Sequence, residues 1–349
     1  MGGVQQARSA RRFRRARRLR SQRRGVVAVI GTLLALLVFF ALFGIFLTQY
    51  VPLWMNDNES AFTSGAQASF AQLKSDIDTQ YILDAPPTLG VPFGISSAGI
   101  PLIAQATQGT LNFLPQNCPA GFYSKVSTSN PALWGQPMVP SFCIFENQSL
   151  SIGPGGYKNY SMNVQMGVLQ MVLPNRYFPP QTLDFEADGV IQVQTGSYQL
   201  MAYAPPLNIT RLAGNTTITG SFLQLYGNAS TVVGQGTQEV YSHLRFAQHL
   251  FSNGYNTLSR TFRPLNYTFE VGTQFPCAWS RFLSHQLNAS GLTSTVAAWP
   301  SPYYIFSPYT GSCTDTSGAT TTVQMEVVAA TYVSLYYAGV QVTTGIGST

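Results

Sequence analysis

The residues best placed to do chemistry lie in DFEADG, residues 184–189, where Asp184, Glu186, Asp188 and Gly189 occupy positions 1, 3, 5 and 6 of a calcium-binding loop. Such a loop sets oxygen ligands at alternating positions, turns on a glycine and closes on a bidentate acid at position 12. Position 12 here is Thr195, and apolar residues alternate from Val190 to Val193. The stretch therefore reads as a strand with a turn, and no metal site is expected.

The three histidines do not make a zinc pattern. His243 and His249 are six residues apart, which places them on one strand face at roughly 20 Å, and His285 lies elsewhere in the chain. No glycine-rich phosphate loop and no G-x-S-x-G elbow is present. Two of the 13 acids could meet in three dimensions as the carboxylate pair of an anchored extracellular hydrolase. No spacing in the sequence points to such a pair, so no catalytic residue, cofactor or enzymatic role is expected.

Modification chemistry is better represented. Asn-x-Ser/Thr sequons occur at Asn58, Asn147, Asn159, Asn208, Asn215, Asn228, Asn266 and Asn288, none with proline in the middle. In LNYTFEV, residues 265–271, the apolar Leu265, Tyr267, Phe269 and Val271 alternate with Asn266, Thr268 and Glu270. The sequon asparagine falls on the polar face. Asn159 stands in the same relation to Tyr160, Met162, Val164 and Met166. The four cysteines, Cys118, Cys143, Cys277 and Cys313, suit two disulfides in an oxidising compartment. Three pairings are open, and short loops favour Cys118 with Cys143 and Cys277 with Cys313.

The elements that must position these residues follow from charge and periodicity. Ten arginines fall between Arg8 and Arg24, leaving 9 basic against 13 acidic residues beyond them. The basic character therefore belongs to a tail, and a lone basic arm without an accompanying fold gives no case for nucleic acid. From Gly25 to Met55 there is no charge. Val26 to Leu47 alone would give roughly 33 Å of helix, enough to cross a bilayer. Basic flanks stay in the cytoplasm, so the bulk of the chain is expected outside.

Residues 1–24 are thus a cytoplasmic tail or leader and residues 25–49 a transmembrane helix in contact with membrane lipid. Over 57–81, Phe62, Ala66, Phe70, Leu73, Ile77 and Tyr81 recur at steps of three and four. This predicts a helix capped by Asp57 or Asn58 and ended by Pro86-Pro87, forming a helical stalk over 50–86. Gly65 and Asn56-Asp57-Asn58 leave open whether it continues the membrane helix.

From about Leu89 the period becomes two. Strands are predicted at 158–174, 181–195, 197–204, 217–226, 238–250, 255–272, 320–329 and 331–344, with turns at Thr195-Gly196 and Asn253-Gly254. A further helix starts near Cys277, with Cys277, Trp279, Phe282, His285 and Leu287 approximating one face. The predicted class is α+β, mainly β: one membrane helix and a stalk carrying a sandwich-like extracellular head over 87–345.

The junction Arg24-Gly25-Val26, with Val29-Ile30-Gly31 close behind, resembles the class III signal peptides of archaeal type IV pilins and archaellins. Ile30 stands where bacterial pilins carry glutamate, so the archaeal pattern is the one matched. NRYFPPQTLDFEADGVIQVQ at 175–194, APPLNIT, Gly234-Gln235-Gly236-Thr237 and Pro276-Cys277-Ala278-Trp279 look like archaeal pilin-like surface proteins with β-rich ectodomains. The resemblance implies a prepilin peptidase cutting between Gly25 and Val26, and sister subunits meeting through the amino-terminal helix. The expected function is a structural or adhesive subunit of a surface appendage. An anchored, non-polymerising module that binds sugar or a surface layer is the alternative.

Overall fold

The structure is a computed structural model that describes residues 29–83, 87–101, 103–114, 143–151, 157–165, 167–194, 196, 198–213, 215–252, 265–292, 304–307, 309–313, 321–330 and 332–345. One helix runs through Val29–Tyr81. It widens to a π-helical turn at Phe46–Tyr50 and returns to α geometry over Val51–Ile82. The cause of the widening is Pro52, which has no N–H to give and crowds the carbonyl four residues back. Val51 instead reaches five residues back to the Phe46 carbonyl. The helix passes through Asn56-Asp57-Asn58 and Gly65 without a break, so neither Asp57 nor Asn58 is a cap. It ends where Leu83 turns extended.

The described strands, in chain order, are β1 (Leu89–Gly94), β2 (Thr110–Leu114), β3 (Cys143–Ser151), β4 (Tyr157–Gln165), β5 (Val168–Leu173), β6 (Gln181–Glu186), β7 (Gly189–Gln194) and β8 (Tyr198–Tyr203). They continue with β9 (Asn208–Leu212), β10 (Asn215–Tyr226), β11 (Ser230–Val233), β12 (Thr237–Ser252), β13 (Leu265–Thr273), β14 (Tyr304–Ser307), β15 (Thr321–Ala330) and β16 (Tyr332–Thr344). A short helix, Pro276–Ala289, follows β13. The class is α+β and mainly β.

Three sheets result, with strand orders β1-β12-β16-β10-β9, β11-β2-β5-β6-β7-β8 and β14-β15-β13-β3-β4. Pairing is antiparallel except between β10 and β16. The sheets enclose two apolar cores. In the first, Phe62, Phe70, Leu73 and Ile77 of the long helix meet Val91 and Phe93 of β1, Leu183 and Phe185 of β6, and Val340 of β16. In the second, Phe269, Val271, Val323 and Met325 of the third sheet close on Trp279 and Leu283 of the short helix and Ile191 of β7.

The expected stalk is therefore not a free-standing one. Phe70, Leu73 and Ile77 are fully buried, and Phe70 meets the Phe93 ring edge-on at 5.0 Å. An apolar stripe of this length in water would be costly, and the sheets supply its cover. On the short helix Cys277, Trp279, Phe282 and Leu287 are buried as the spacing suggests, but His285 is exposed and Leu283 takes its place.

The strand expected over 158–174 is two strands in different sheets. They part near Gly167, whose N–H donates to the Leu225 carbonyl at 3.0 Å. A Cβ there would stand 2.2 Å from that carbonyl oxygen, so only glycine allows the crossing. The strand expected over 181–195 is the β6–β7 hairpin, turned at Ala187 and Asp188, with φ of 49° and 65°. Gly196, at φ 71°, sits in the β7–β8 loop, whereas Asn253-Gly254 lies outside the described residues.

Replacing Phe70 by alanine should lower stability by about 3–5 kcal/mol, because it empties a fully buried ring site. Leu37→Ala, on the exposed half of the same helix, should leave the β domain's denaturant midpoint unchanged. Chemical denaturation followed by tryptophan fluorescence tests both.

Candidate functional site

The long helix is the candidate site, and its two halves differ. From Val29 to Met55 it carries no charge and covers roughly 40 Å at 1.5 Å per residue, longer than a bilayer's hydrocarbon core. From Val29 to Ile45 its large apolar side chains are exposed all round, Leu33, Leu37, Val38 and Phe40 each by more than half, whereas Val51 and Met55 are already buried. Phe39, Phe43, Phe46 and Tyr50 stack in succession along one face, with ring centroids 5.9, 6.5 and 6.1 Å apart. Trp54 meets Phe46 edge-on at 5.7 Å. Tyr50 and Trp54 close the apolar run, where amphipathic rings suit a boundary between lipid and water.

The second half is fixed by polar side chains set into the apolar stripe. Glu59, fully buried, receives the N–H groups of three consecutive residues: Arg176 at 3.0 Å, Tyr177 at 2.7 Å and Phe178 at 2.8 Å. The Thr107 hydroxyl donates to its other oxygen at 2.5 Å. Burial alone would raise the Glu59 pKa, but the Thr107 hydroxyl and these backbone donors outweigh it and hold the carboxyl below its usual value. Asn56 donates to the Tyr177 carbonyl at 2.7 Å, and Asn175 donates to the Thr63 hydroxyl at 3.0 Å. Asn56, Glu59 and Thr63 thus clasp the NRYFPP loop along one helix face.

At the far end Gln80 acts as a strand partner for β12. Its amide nitrogen donates to the Ser242 carbonyl at 3.0 Å, and its oxygen accepts from the Leu244 N–H at 2.9 Å. Beyond Leu244 the register of β12 on β16 shifts, so this part of the strand has polar groups to offer.

Between these clamps the DFEADG hairpin reaches the helix. Asp188, 2 % exposed at the turn, pairs with Lys74 at 3.1 Å, and Lys74 also bridges Asp78 at 3.4 Å. Glu186 accepts from the Thr273 hydroxyl at 2.7 Å and from the Trp279 indole N–H, tying the hairpin to β13 and the short helix. Asp184 accepts from Gln170 at 2.9 Å.

Burial raises all three acids. Asp184 is pushed well above its ordinary range by desolvation and then by the Glu186 charge. Desolvation takes Glu186 to about 7 against the hydrogen bonds from Trp279 and Thr273. It also takes Asp188 to about 7 against the Lys74 charge. One oxygen each of Asp184 and Glu186 is buried without a hydrogen bond, as suits neutral carboxyls. All three acids are buried by the fold, Asp188 beside the Lys74 charge. No group of three or more His, Cys, Asp or Glu able to hold a metal occurs among the described residues.

The remaining sequence-predicted residues are scattered. Gly25, Val26 and Cys118 lie outside the described residues. Cys277 and Cys313 are joined, with Cα atoms 5.7 Å apart, so the disulfide anchors the start of the short helix. Cys143 opens β3. Among the sequons, Asn208, Asn215, Asn228 and Asn288 are exposed, while Asn147, Asn159 and Asn266 fall in β3, β4 and β13. Asn58 is half-buried in the helix, and its amide nitrogen donates to the Ala98 carbonyl at 3.0 Å, which leaves little room for a sugar. His243 accepts from or donates to the Thr88 hydroxyl at 3.2 Å.

Sequence reasoning missed Glu59 and Gln80, although a signal existed. Glu59 stands three residues before Phe62, and Gln80 three after Ile77, so both continue the buried stripe. A polar residue at a stripe position needs a buried partner.

The acids predict an unusual pH response. Glu186 and Asp188 bind protons more tightly folded than unfolded, so their contribution is complete below about pH 4 and is lost as pH rises toward 7. Glu59 has the opposite sign: its contribution is present above its unfolded value of 4.5 and is lost on acidification. The melting temperature should therefore be higher at pH 5 than at pH 7.5, by about 5 °C or more. Glu186→Gln should shrink that difference, and Glu59→Gln should lower stability at both pH values by about 2–4 kcal/mol. Calorimetry across pH checks each.

No protein family, no curated protein and no solved structure matches this chain.

Proposed function

We propose that the chain is a pilin-like, membrane-anchored surface protein that serves as a structural or adhesive subunit of a surface appendage. The observation that carries this reading is the single helix whose exposed apolar half runs unbroken into a half that forms the core of the β domain. A helix apolar around its whole circumference is suited to a bilayer and equally to a bundle of sister helices. Both surroundings cover the same side chains, so exchange between them exposes no charge to hydrocarbon.

Rigid attachment adds a second support. A head on a flexible stalk would sit at no fixed place on a helix bundle. A head built around the helix inherits its register from that helix. The arginine block holds the amino terminus in the cytoplasm and the β domain outside. The partners are then membrane lipid, sister subunits through the helix, and a prepilin peptidase acting between Gly25 and Val26. Asp184 and Glu186 each have protein donors of their own, which favours structure over hydrolysis as their role.

Determining the amino terminus of the mature protein tests the proposal. The expected first residue is Val26. An intact Met1 would sink the processed subunit and leave an anchored binding module.

A further inference from the structure

Three sequons that are far apart in the chain, Asn147-Gln148-Ser149, Asn159-Tyr160-Ser161 and Asn266-Tyr267-Thr268, fall on the three adjacent strands β4, β3 and β13. Their register is specific. Asn266 pairs with Ser149, and Ser149 with Asn159, forming one row across the sheet. Thr268 pairs with Asn147, and Asn147 with Ser161, forming the next row on the same face. Every asparagine thus lies opposite a serine or threonine of a neighbouring sequon, and no two asparagines oppose each other. Asn147 is the diagonal neighbour of both Asn159 and Asn266, at about 7–8 Å.

These rows belong to the register set that alternates with Phe269 and Val271 along β13. Residues of β13 alternate, and Phe269 and Val271 are fully buried in the second core together with their β15 partners Met325 and Val323. Asn266 and Thr268 belong to the opposite set. On that set Thr322 and Gln324 of β15 are only partly covered. Among the described residues strand β4 is also the edge of its sheet.

We infer that the outer face of the β14-β15-β13-β3-β4 sheet is a glycan-bearing face, with N-linked sugar on Asn147, Asn159 and Asn266. The attachment joins each asparagine amide nitrogen to the anomeric carbon of a polyprenyl-phosphate-linked oligosaccharide, through a membrane oligosaccharyltransferase. The bond from that carbon to the phosphate oxygen breaks, the lipid phosphate leaves with the electron pair, and the amide gives up one proton. The checkerboard keeps neighbouring sugars on diagonals, and the sugar on Asn159 screens the open edge of β4. A sheet that leaves one face to solvent is shielded in this way from pairing with the sheet of another copy.

The inference rests on the β domain lying outside the membrane, and the experiment separates the two. The full chain is purified from the cells that make it, and its peptides are mapped by mass spectrometry. In parallel, intact cells are treated with protease and released β-domain peptides are collected. The expected result is sugar on the peptides holding Asn147, Asn159 and Asn266, together with release from intact cells. Thr268→Ala should remove the sugar at Asn266 alone. Released peptides with all three asparagines bare would overturn the glycan face while leaving the outside location standing. Bare asparagines without release would overturn both.

Discussion

The carboxylate of Glu59, sealed between the long helix and the loop at 174–180, is the interaction on which the rest of the molecule depends. A buried charge costs several kcal/mol unless donors replace its water. Here four donors do so, three from consecutive backbone amides and one from Thr107, and they come from segments about 50 and 120 residues away in sequence. None of these segments can move off the helix without stranding the charge. The helix is thereby made part of the β domain, and Gln80 repeats the device at the other end by completing the backbone bonding of β12.

The DFEADG hairpin works between these two clamps with a different electrostatic logic. Asp188 reaches Lys74 on the long helix, and Glu186 at the end of β6 reaches Trp279 on the short one, so one hairpin links the two helices. Its turn holds Ala187 and Asp188 at positive φ, which costs about 1–2 kcal/mol per residue. The ties at either end hold it there. Glu59 favours the ionised form and the hairpin acids favour the neutral one, so the domain contains opposing responses to protons within one core.

Much of this was readable in the residues. The charge-free run from Gly25, the stripe from Phe62 to Ile77 and the period-two segments gave the helix, its buried face and the strands β10, β12, β15 and β16 within a residue or two. What could not be read was set by contacts distant in sequence. The division of 158–174 depends on how closely Gly167 approaches Leu225, and short strands such as β1, β9 and β11 exist because longer ones offer them an edge. Glu59 stands at a stripe position, but its partners lie in a loop whose course the helix itself determines. The acids of DFEADG match only part of a calcium loop and read as a strand with a turn, but their burial depends on the helices that the hairpin meets. The bond from the Asn58 amide to the Ala98 carbonyl is likewise a contact distant in sequence.

An exposed apolar helix thus enters a β domain without a joint, and its stripe from Phe62 to Ile77 is core. Hydrogen exchange on the full chain in lipid nanodiscs measures this directly. Amides from Glu59 to Gln80 should exchange only with global unfolding, at the rate of the central strands β12 and β16. Exchange of that segment well before those strands, as an independent helix would show, would contradict it.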